Sequence, residues 1–64
     1  MELKSFYGKN VNIISYDGRL FCGIINDYFL SDDNESGMES IVIDTFDGNI
    51  IEFAEEDIDR IWEA

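Results

Sequence analysis

Two Asp-Gly pairs, Asp17-Gly18 and Asp47-Gly48, each join two runs rich in apolar and β-branched residues. Such a pair is a strong local signal for a β-hairpin, because a type I′ turn needs positive φ at both central residues and glycine adopts it without strain. We therefore predict a meander of antiparallel strands. The predicted strands cover residues 11–16, 19–30, 40–46 and 49–53.

The ends of the chain complete an all-β architecture. Residues 1–7 carry apolar side chains at helical spacing, which predicts one helical turn or an irregular lead-in. Residues 54–57 predict a tight turn and residues 58–61 a fifth strand, since a sheet of four strands leaves edges that a fifth can cover. Gly23, in the middle of the longest strand, predicts a sharp bend. The predicted fold is a small, strongly bent five-stranded barrel with a short N-terminal helical turn, as a single domain over residues 1–64.

The chain has 64 residues, close to the lower limit at which one domain buries enough surface to fold alone. Its apolar fraction of 45% includes one Trp, three Tyr and five Phe, which is typical of a packed domain in spite of the net charge of -11. The small size leaves assembly into a homo-oligomer open as a further source of stability.

Fifteen acidic residues stand against four basic ones, so the surface repels phosphate groups and attracts cationic groups. We therefore expect a basic protein partner and no direct binding of nucleic acid. Two alternatives stay open. The acidity serves solubility alone, or the carboxylates imitate the phosphates of a nucleic acid.

Cys22 is the only cysteine, so no intramolecular disulfide can form. The sequence shows no charged start followed by an apolar run, and its longest apolar runs are far shorter than a bilayer requires. We expect a cytoplasmic protein that does not associate with a membrane.

Two segments resemble the first conserved motif of the Sm-like (LSm) proteins, whose pattern is Gly, alternating aliphatic residues, Asp-Gly-Arg, an apolar residue and a Gly in a bent second strand. The segments are Gly8-Lys9-Asn10-Val11-x-Ile13 and Asp17-Gly18-Arg19-x-Phe21-x-Gly23-x-Ile25. Residues 53–61 resemble the second motif more loosely. The resemblance implies a small Sm-like or SH3-like barrel and, for the family, an RNA pocket formed in a ring.

The RNA-binding signature of that family is not reproduced. Where Sm-like proteins resemble one another in an Asp-x-aliphatic-Asn segment after the second strand, this chain has Asn26-Asp27-Tyr28-Phe29-Leu30. Where they carry Arg-Gly before the fifth strand, it has Ala54-Glu55, which replaces a positive charge by a negative one. The resemblance therefore implies the fold without the RNA site, and we carry over no RNA-contacting residue.

The sequence lacks the residue patterns that are typical of a catalytic site. The chain has no His to act as a base near neutral pH and no Gly-rich phosphate loop, and its lone Cys22 lies in an apolar strand. We predict that the protein is not an enzyme and has no cofactor. Asp32, Asn34 and Ser36 follow the alternation of a calcium loop, but the twelfth position is Ile43 instead of Glu, so we favour an exposed acidic turn over a metal site.

The aromatic side chains outnumber what one small core can hide, and a second acidic run follows the fourth strand. Aromatic groups at a surface rimmed by carboxylates can anchor a basic protein. The predicted binding residues are Tyr16, Tyr28, Phe29, Trp62, Glu55, Glu56 and Asp57.

From these residues we predict a non-catalytic protein-binding module. The alternatives are a phage-type inhibitor that mimics nucleic acid and occupies a basic groove, and an Sm-like RNA-binding ring. The second face of the first hairpin is a further expected protein contact. It carries Ile14, Tyr16, Leu20 and Ile24.

Overall fold

Every segment predicted as a strand forms one in the computed structural model, which describes residues 2–64. The strands are β1 (Asn10–Ser15), β2 (Leu20–Phe29), β3 (Ser40–Thr45), β4 (Ile50–Ala54) and β5 (Ile58–Glu63). They form one antiparallel sheet in the order β4-β3-β2-β1-β5. Three short 3-10 turns cover Leu3–Phe6, Ser31–Asp33 and Glu55–Asp57. The predicted five-stranded all-β fold with a short N-terminal turn is confirmed.

The sheet is open, so the predicted closed barrel is wrong. Within residues 2–64, β4 pairs with β3 alone and β5 pairs with β1 alone, and no ladder joins the two edge strands. The chain passes from one edge to the other through the turn Glu55–Asp57. At the end of β4 the N–H of Ala54 donates to a carboxylate oxygen of Asp57, 3.1 Å away. The backbone N–H of Ala54 is therefore satisfied within the turn and does not pair with another strand.

Both hairpin turns differ from the predicted type I′ geometry. In the first, the N–H of Gly18 donates to the carbonyl of Ser15 at 2.9 Å, and the N–H of Ser15 donates to the carbonyl of Arg19 at 2.9 Å. Gly18 has φ of 86°, whereas Asp17, like all other non-glycine residues that the structure describes, keeps a negative φ. The turn is therefore a three-residue hairpin loop of residues 16–18, in which only the last residue, Gly18, needs a positive φ. The turn Thr45–Asn49 repeats the same backbone bonds.

The sheet bends within β2, around Gly23. β1 pairs with β2 from Leu20 to Ile24, whereas β3 pairs with β2 only from Gly23 onwards, with a register shift between Ile25 and Asp27. A Cβ atom added at Gly23 would overlap the carbonyl oxygen of Asp44 and lie 2.8 Å from its carbonyl carbon. The bend therefore depends on the close approach of the β3 backbone to a residue without a side chain.

The core lies on the concave side of the bent sheet. Alternate residues of the strands point inward, as predicted for Val11 and Ile13, and Leu3 from the N-terminal turn covers one end. The buried apolar side chains are Leu3, Val11, Ile13, Ile25, Ile41, Ile43, Phe53 and Ile58. Burying one such side chain contributes about 2 kcal/mol to the free energy of folding.

Replacing Gly23 by Ala should destabilise the fold by about 3 kcal/mol, because the new methyl group must displace the backbone of β3. Gly18→Ala is the matched control. Its site has positive φ but no neighbouring atom within 4 Å, and it should cost only about 1 kcal/mol. Urea denaturation of the two variants measures the difference, and an equal loss in both would show that close approach does not constrain position 23.

Candidate functional site

The two hairpin turns share one side-chain arrangement. The hydroxyl of Ser15 donates to a carboxylate oxygen of Asp17, and Thr45 donates to Asp47 in the same way. These hydroxyl groups are the main cause that lowers the pKa of each Asp, because a hydrogen bond donated to a carboxylate favours its charged form. Both turns therefore keep a negative charge well into the acidic pH range.

Each turn also presents an aromatic side chain to solvent. Tyr16 is 70% exposed and Phe46 is 68% exposed, and each occupies the position between the hydroxyl residue and the Asp. The shared pattern is a hydroxyl residue, an aromatic residue, Asp and Gly. In both turns the aromatic side chain therefore points to solvent and does not join the core.

The first of these turns forms one wall of a groove of about 390 Å³, which we call the acidic groove. The opposite wall comes from β4 and from the Glu55–Asp57 turn. Three aromatic residues, four acidic residues, one Arg and one Ser line it, and Phe53 among them is largely buried. They are Tyr16, Phe21, Phe53, Asp17, Glu52, Glu56, Asp57, Arg19 and Ser15. The rings of Phe21 and Phe53 meet edge to face at a centroid distance of 5.1 Å, so the aromatic wall is rigidly packed.

A second groove, of about 450 Å³, lies between the start of β2 and the Thr45–Asn49 turn, and we call it the apolar groove. It exists because β3 pairs with β2 only from Gly23 onwards. Its lining includes the exposed side chains of Leu20 and Phe46. Phe21 and Arg19 line both grooves, and the guanidinium of Arg19 lies 5.1 Å from the centre of the Phe21 ring. The two grooves therefore form one continuous surface.

At the opposite end of β2, Tyr28 is tied to the loop that follows it. Its hydroxyl donates to a carboxylate oxygen of Glu39, and this hydrogen bond is the main cause that raises the pKa of Tyr28 to about 12. Tyr28, Glu39 and Glu55 line a smaller groove of about 290 Å³. The Tyr28 ring packs against the core. Its hydroxyl thus anchors the loop to β2.

The predicted binding residues lie in separate places. The structure brings Tyr16, Glu56 and Asp57 together in the acidic groove. Glu55 lies with Tyr28 at the loop end, and Phe29 is half-buried at the end of β2. Trp62 lies on β5, where the guanidinium of Arg60 stacks over its ring at 5.4 Å.

Sequence reasoning missed six of the nine residues that line the acidic groove, namely Ser15, Asp17, Arg19, Phe21, Glu52 and Phe53. In the sequence, Asp17, Arg19 and Phe21 stand out only as parts of the hairpin and of the Sm-like motif, and none of the six is a predicted binding residue. The repeated hydroxyl-aromatic-Asp-Gly pattern could have indicated that the two turns present similar surfaces. Their position beside β4 depends on the bend of the sheet.

Asn34, one of the three residues considered as a weak calcium loop, forms hydrogen bonds within the loop that precedes β3. The side-chain amide of Asn34 donates to the carbonyl of Met38 at 2.6 Å, to the carbonyl of Leu30 at 3.3 Å and to the hydroxyl of Ser40 at 3.2 Å. Across residues 2–64, no group of three or more His, Cys, Asp or Glu side chains is arranged to hold a metal ion. Asn34 crosslinks the loop, and Asp32 is exposed beside it.

The second face of the first hairpin is the convex face of the sheet. β1 presents Asn10, Asn12 and Ile14 there, β2 presents Leu20, Cys22 and Ile24, and β5 presents Arg60 and Trp62, each alternating with inward residues. The thiol of Cys22 lies 2.9 Å from the side-chain oxygen of Asn12, its register partner. We call these eight side chains of β1, β2 and β5 the outer face, and the same side of the sheet also carries Asp27 of β2 and Asp44 of β3. Of the residues expected there, Tyr16 lies at the turn instead.

Comparison of the chain with protein-family models, with curated proteins and with solved structures finds no match. Among residues 2–64, no helix has the length and apolar character needed to cross a bilayer. Functional inference therefore depends on the geometry of the grooves and of the outer face.

Alkaline conditions should test the Tyr28–Glu39 contact. The unfolded chain loses the Tyr28 proton near its ordinary pKa of about 10, whereas the folded chain retains it up to about 12. Deprotonation therefore favours unfolding, and the stabilising effect of the contact is lost as the pH rises through this window. Absorbance titration of the phenolate should show one group ionising near pH 12, and Glu39→Gln should move it towards the ordinary value. Unchanged titration in Glu39→Gln would exclude the contact.

Replacing Asn34 by Ala should lower the free energy of unfolding by about 1–2 kcal/mol, because the loop carbonyls and the buried hydroxyl of Ser40 lose a shared donor. Ser36→Ala is the control within the same loop, since its exposed hydroxyl only accepts one long bond from the N–H of Met38. It should change stability by less than about 0.5 kcal/mol. Urea denaturation followed by Trp62 fluorescence measures both, and an equal effect would contradict the crosslink.

Proposed function

We propose that the protein is a non-enzymatic binding module that takes a basic segment of another protein into the acidic groove. The observation that carries the proposal is that four acidic residues and three aromatic residues line one groove. Carboxylates attract a Lys or Arg side chain, and an aromatic face binds its cation and its aliphatic stem. The net charge of -11 favours the same class of partner by long-range attraction.

The interior of the acidic groove supports a cation in particular. Arg19 already places its guanidinium over Phe21, which shows that the aromatic wall accepts a planar cation. Asp17, Glu52, Glu56 and Asp57 leave the groove with excess negative charge after Arg19 is counted. A partner cation would offset that excess, so recognition in this groove favours Arg or Lys over a neutral residue.

The apolar groove supports an anchor next to that cation. Leu20 and Phe46 expose apolar surface on the far side of Arg19 and Phe21, and buried apolar anchors carry much of the binding energy of protein interfaces. A segment with an apolar residue close to a basic one would fill both grooves at once. We therefore expect the partner sequence to contain such a pair.

We also propose that the chain is related to the Sm-like fold but has lost RNA binding. The bend at Gly23, the turn at Asp17-Gly18-Arg19 and the short N-terminal turn support the relation. Ala54-Glu55 stands where the family motif carries Arg-Gly, and the half-buried Glu55 near Tyr28 adds a negative charge that disfavours phosphate. The single cysteine supports a reducing cytoplasm as the site of action.

A set of synthetic peptides can test the proposal by NMR titration. The probes are short Gly-Ser peptides that carry two Arg residues and one Leu at varied spacing. Peptide binding should shift the amide signals of the acidic groove, and Glu52→Gln with Glu56→Gln should weaken it about tenfold, because two exposed carboxylates of the groove are lost. Asp32→Asn with Glu35→Gln removes the same charge from the exposed loop and should change affinity less than about twofold.

Two results would contradict the proposal. Equal weakening by both double variants would show that overall charge alone attracts the peptides, which is the behaviour expected of a nucleic-acid mimic. Retention of poly-U RNA at low salt, without peptide binding, would favour the RNA-binding ring. Binding at the acidic groove should also weaken as NaCl is raised, since salt screens charge pairs.

A further inference from the structure

We infer that Arg19 is an intramolecular competitor for the acidic groove: its guanidinium covers the aromatic wall in the free protein, and the Arg side chain of a partner displaces it. The inference rests on the proposed function of that groove and names the residue that limits its affinity for Arg. The observation that carries it is the place of Arg19. This side chain lines both grooves, and its guanidinium lies 5.1 Å from the centre of the Phe21 ring.

Phe21 offers the ring on which a partner guanidinium would stack. The ring packs against the core, where Phe53 meets it edge to face and is only 5% exposed. Phe21 itself is half-buried, whereas Arg19 is exposed, so the guanidinium of Arg19 lies on the solvent side of the ring. A second cation therefore reaches this ring only after Arg19 has left it, because like charges repel at close range.

The stacking contact holds Arg19 weakly. Within residues 2–64, the ion pair that the structure describes joins Lys9 to Glu63, and Arg19 forms none although four acidic residues line its groove. The hydroxyl of Ser15 is the main cause that lowers the pKa of Asp17, and the charge of Arg19 contributes less. A cation over an aromatic ring at an exposed site is a weak contact, so a partner that also reaches the carboxylates can displace it.

The fold does not depend on the side chain of Arg19, because the hairpin contacts of this residue are made by its backbone. Its carbonyl accepts a hydrogen bond from the N–H of Ser15 at 2.9 Å. Its own N–H lies 3.3 Å from the hydroxyl oxygen of Ser15 and 3.4 Å from a carboxylate oxygen of Asp17. Substitution at position 19 therefore leaves the turn in place, and the guanidinium is free to move.

The same geometry determines how the groove distinguishes Arg from Lys. A planar guanidinium stacks on an aromatic ring better than a compact ammonium does, whereas both cations bind carboxylates. While Arg19 covers Phe21, a partner gains little from a planar cation, so Arg and Lys bind with similar affinity. Once the ring is uncovered, Arg gains a stacking surface, and Lys gains mostly the removal of a nearby positive charge.

Arg19→Ala and Arg60→Ala form a matched pair of variants that tests the inference. Each removes one positive charge from an exposed guanidinium over an aromatic ring, but Arg60 lies over Trp62 on β5, outside both grooves. The probes are the Gly-Ser peptides with Arg and Leu, and the same peptides with Lys in place of Arg. Arg19→Ala should strengthen binding of the Arg peptides about fivefold or more and of the Lys peptides about twofold. Arg60→Ala should change the affinity for either set by less than about twofold.

Side-chain NMR of the wild-type protein follows the displacement directly. In the free protein, the δ-methylene and Nε–H signals of Arg19 should carry a ring-current shift from Phe21, and those of Arg60 one from Trp62. Saturation with the Arg peptides should remove the shift of Arg19 and leave that of Arg60 unchanged. A change in overall charge does not produce this difference, because a ring-current shift depends on the position of the guanidinium over the ring.

Three results would overturn the inference and leave the proposed function intact. They are unchanged or weaker binding of the Arg peptides by Arg19→Ala, equal strengthening by Arg60→Ala, and a ring-current shift of Arg19 that persists in the complex. Binding of the peptides to neither wild type nor Arg19→Ala would overturn the proposed function itself, and the inference with it.

Discussion

The close approach of β3 to Gly23 is the constraint on which the rest of the molecule depends. Because no side chain stands at that position, the carbonyl of Asp44 can occupy the space, and β2 bends there. The bend makes the first half of β2 a partner of β1 and its second half a partner of β3. It creates a concave side for the core, and it leaves the start of β2 paired with β1 but without a strand on its β3 side. The apolar groove is the direct result of that gap.

Charge is separated over this bent sheet in a way that composition alone does not reveal. The first hairpin turn, β4 and the β4–β5 connection hold the carboxylates of the acidic groove. The convex side of β1, β2 and β5 carries Arg60 among apolar and amide side chains, with Asp27 of β2 and Asp44 of β3 at its β3 side. Solvated turns tolerate repeated like charges because water screens them, and a half-buried sheet face does not. The acidic groove is therefore the most acidic of the three grooves, and it suits a cationic partner.

Local signals in the chain predicted most of the architecture. Alternating apolar residues located the five strands, and the Asp-Gly pairs located the hairpins, because side-chain period and glycine φ are short-range properties. The turn type was wrong, since the hydroxyls of Ser15 and Thr45 hold Asp17 and Asp47 in a three-residue loop with a single glycine of positive φ. The closed barrel was also wrong, because whether β4 meets β5 depends on curvature summed over the whole sheet.

The sequence by itself determined the strand pattern, the bend at Gly23, the inward positions of Val11 and Ile13 and the excess of negative charge. Only the tertiary structure decided which acidic and aromatic residues share a groove. In the folded chain, Tyr16, Glu56 and Asp57 line the acidic groove. Glu55 lies beside Tyr28 in a different groove, and Trp62 lies on the outer face. The physical reason is that strand periodicity acts between neighbours in the chain, whereas a groove joins residues that are distant in sequence and meet only after the sheet has bent.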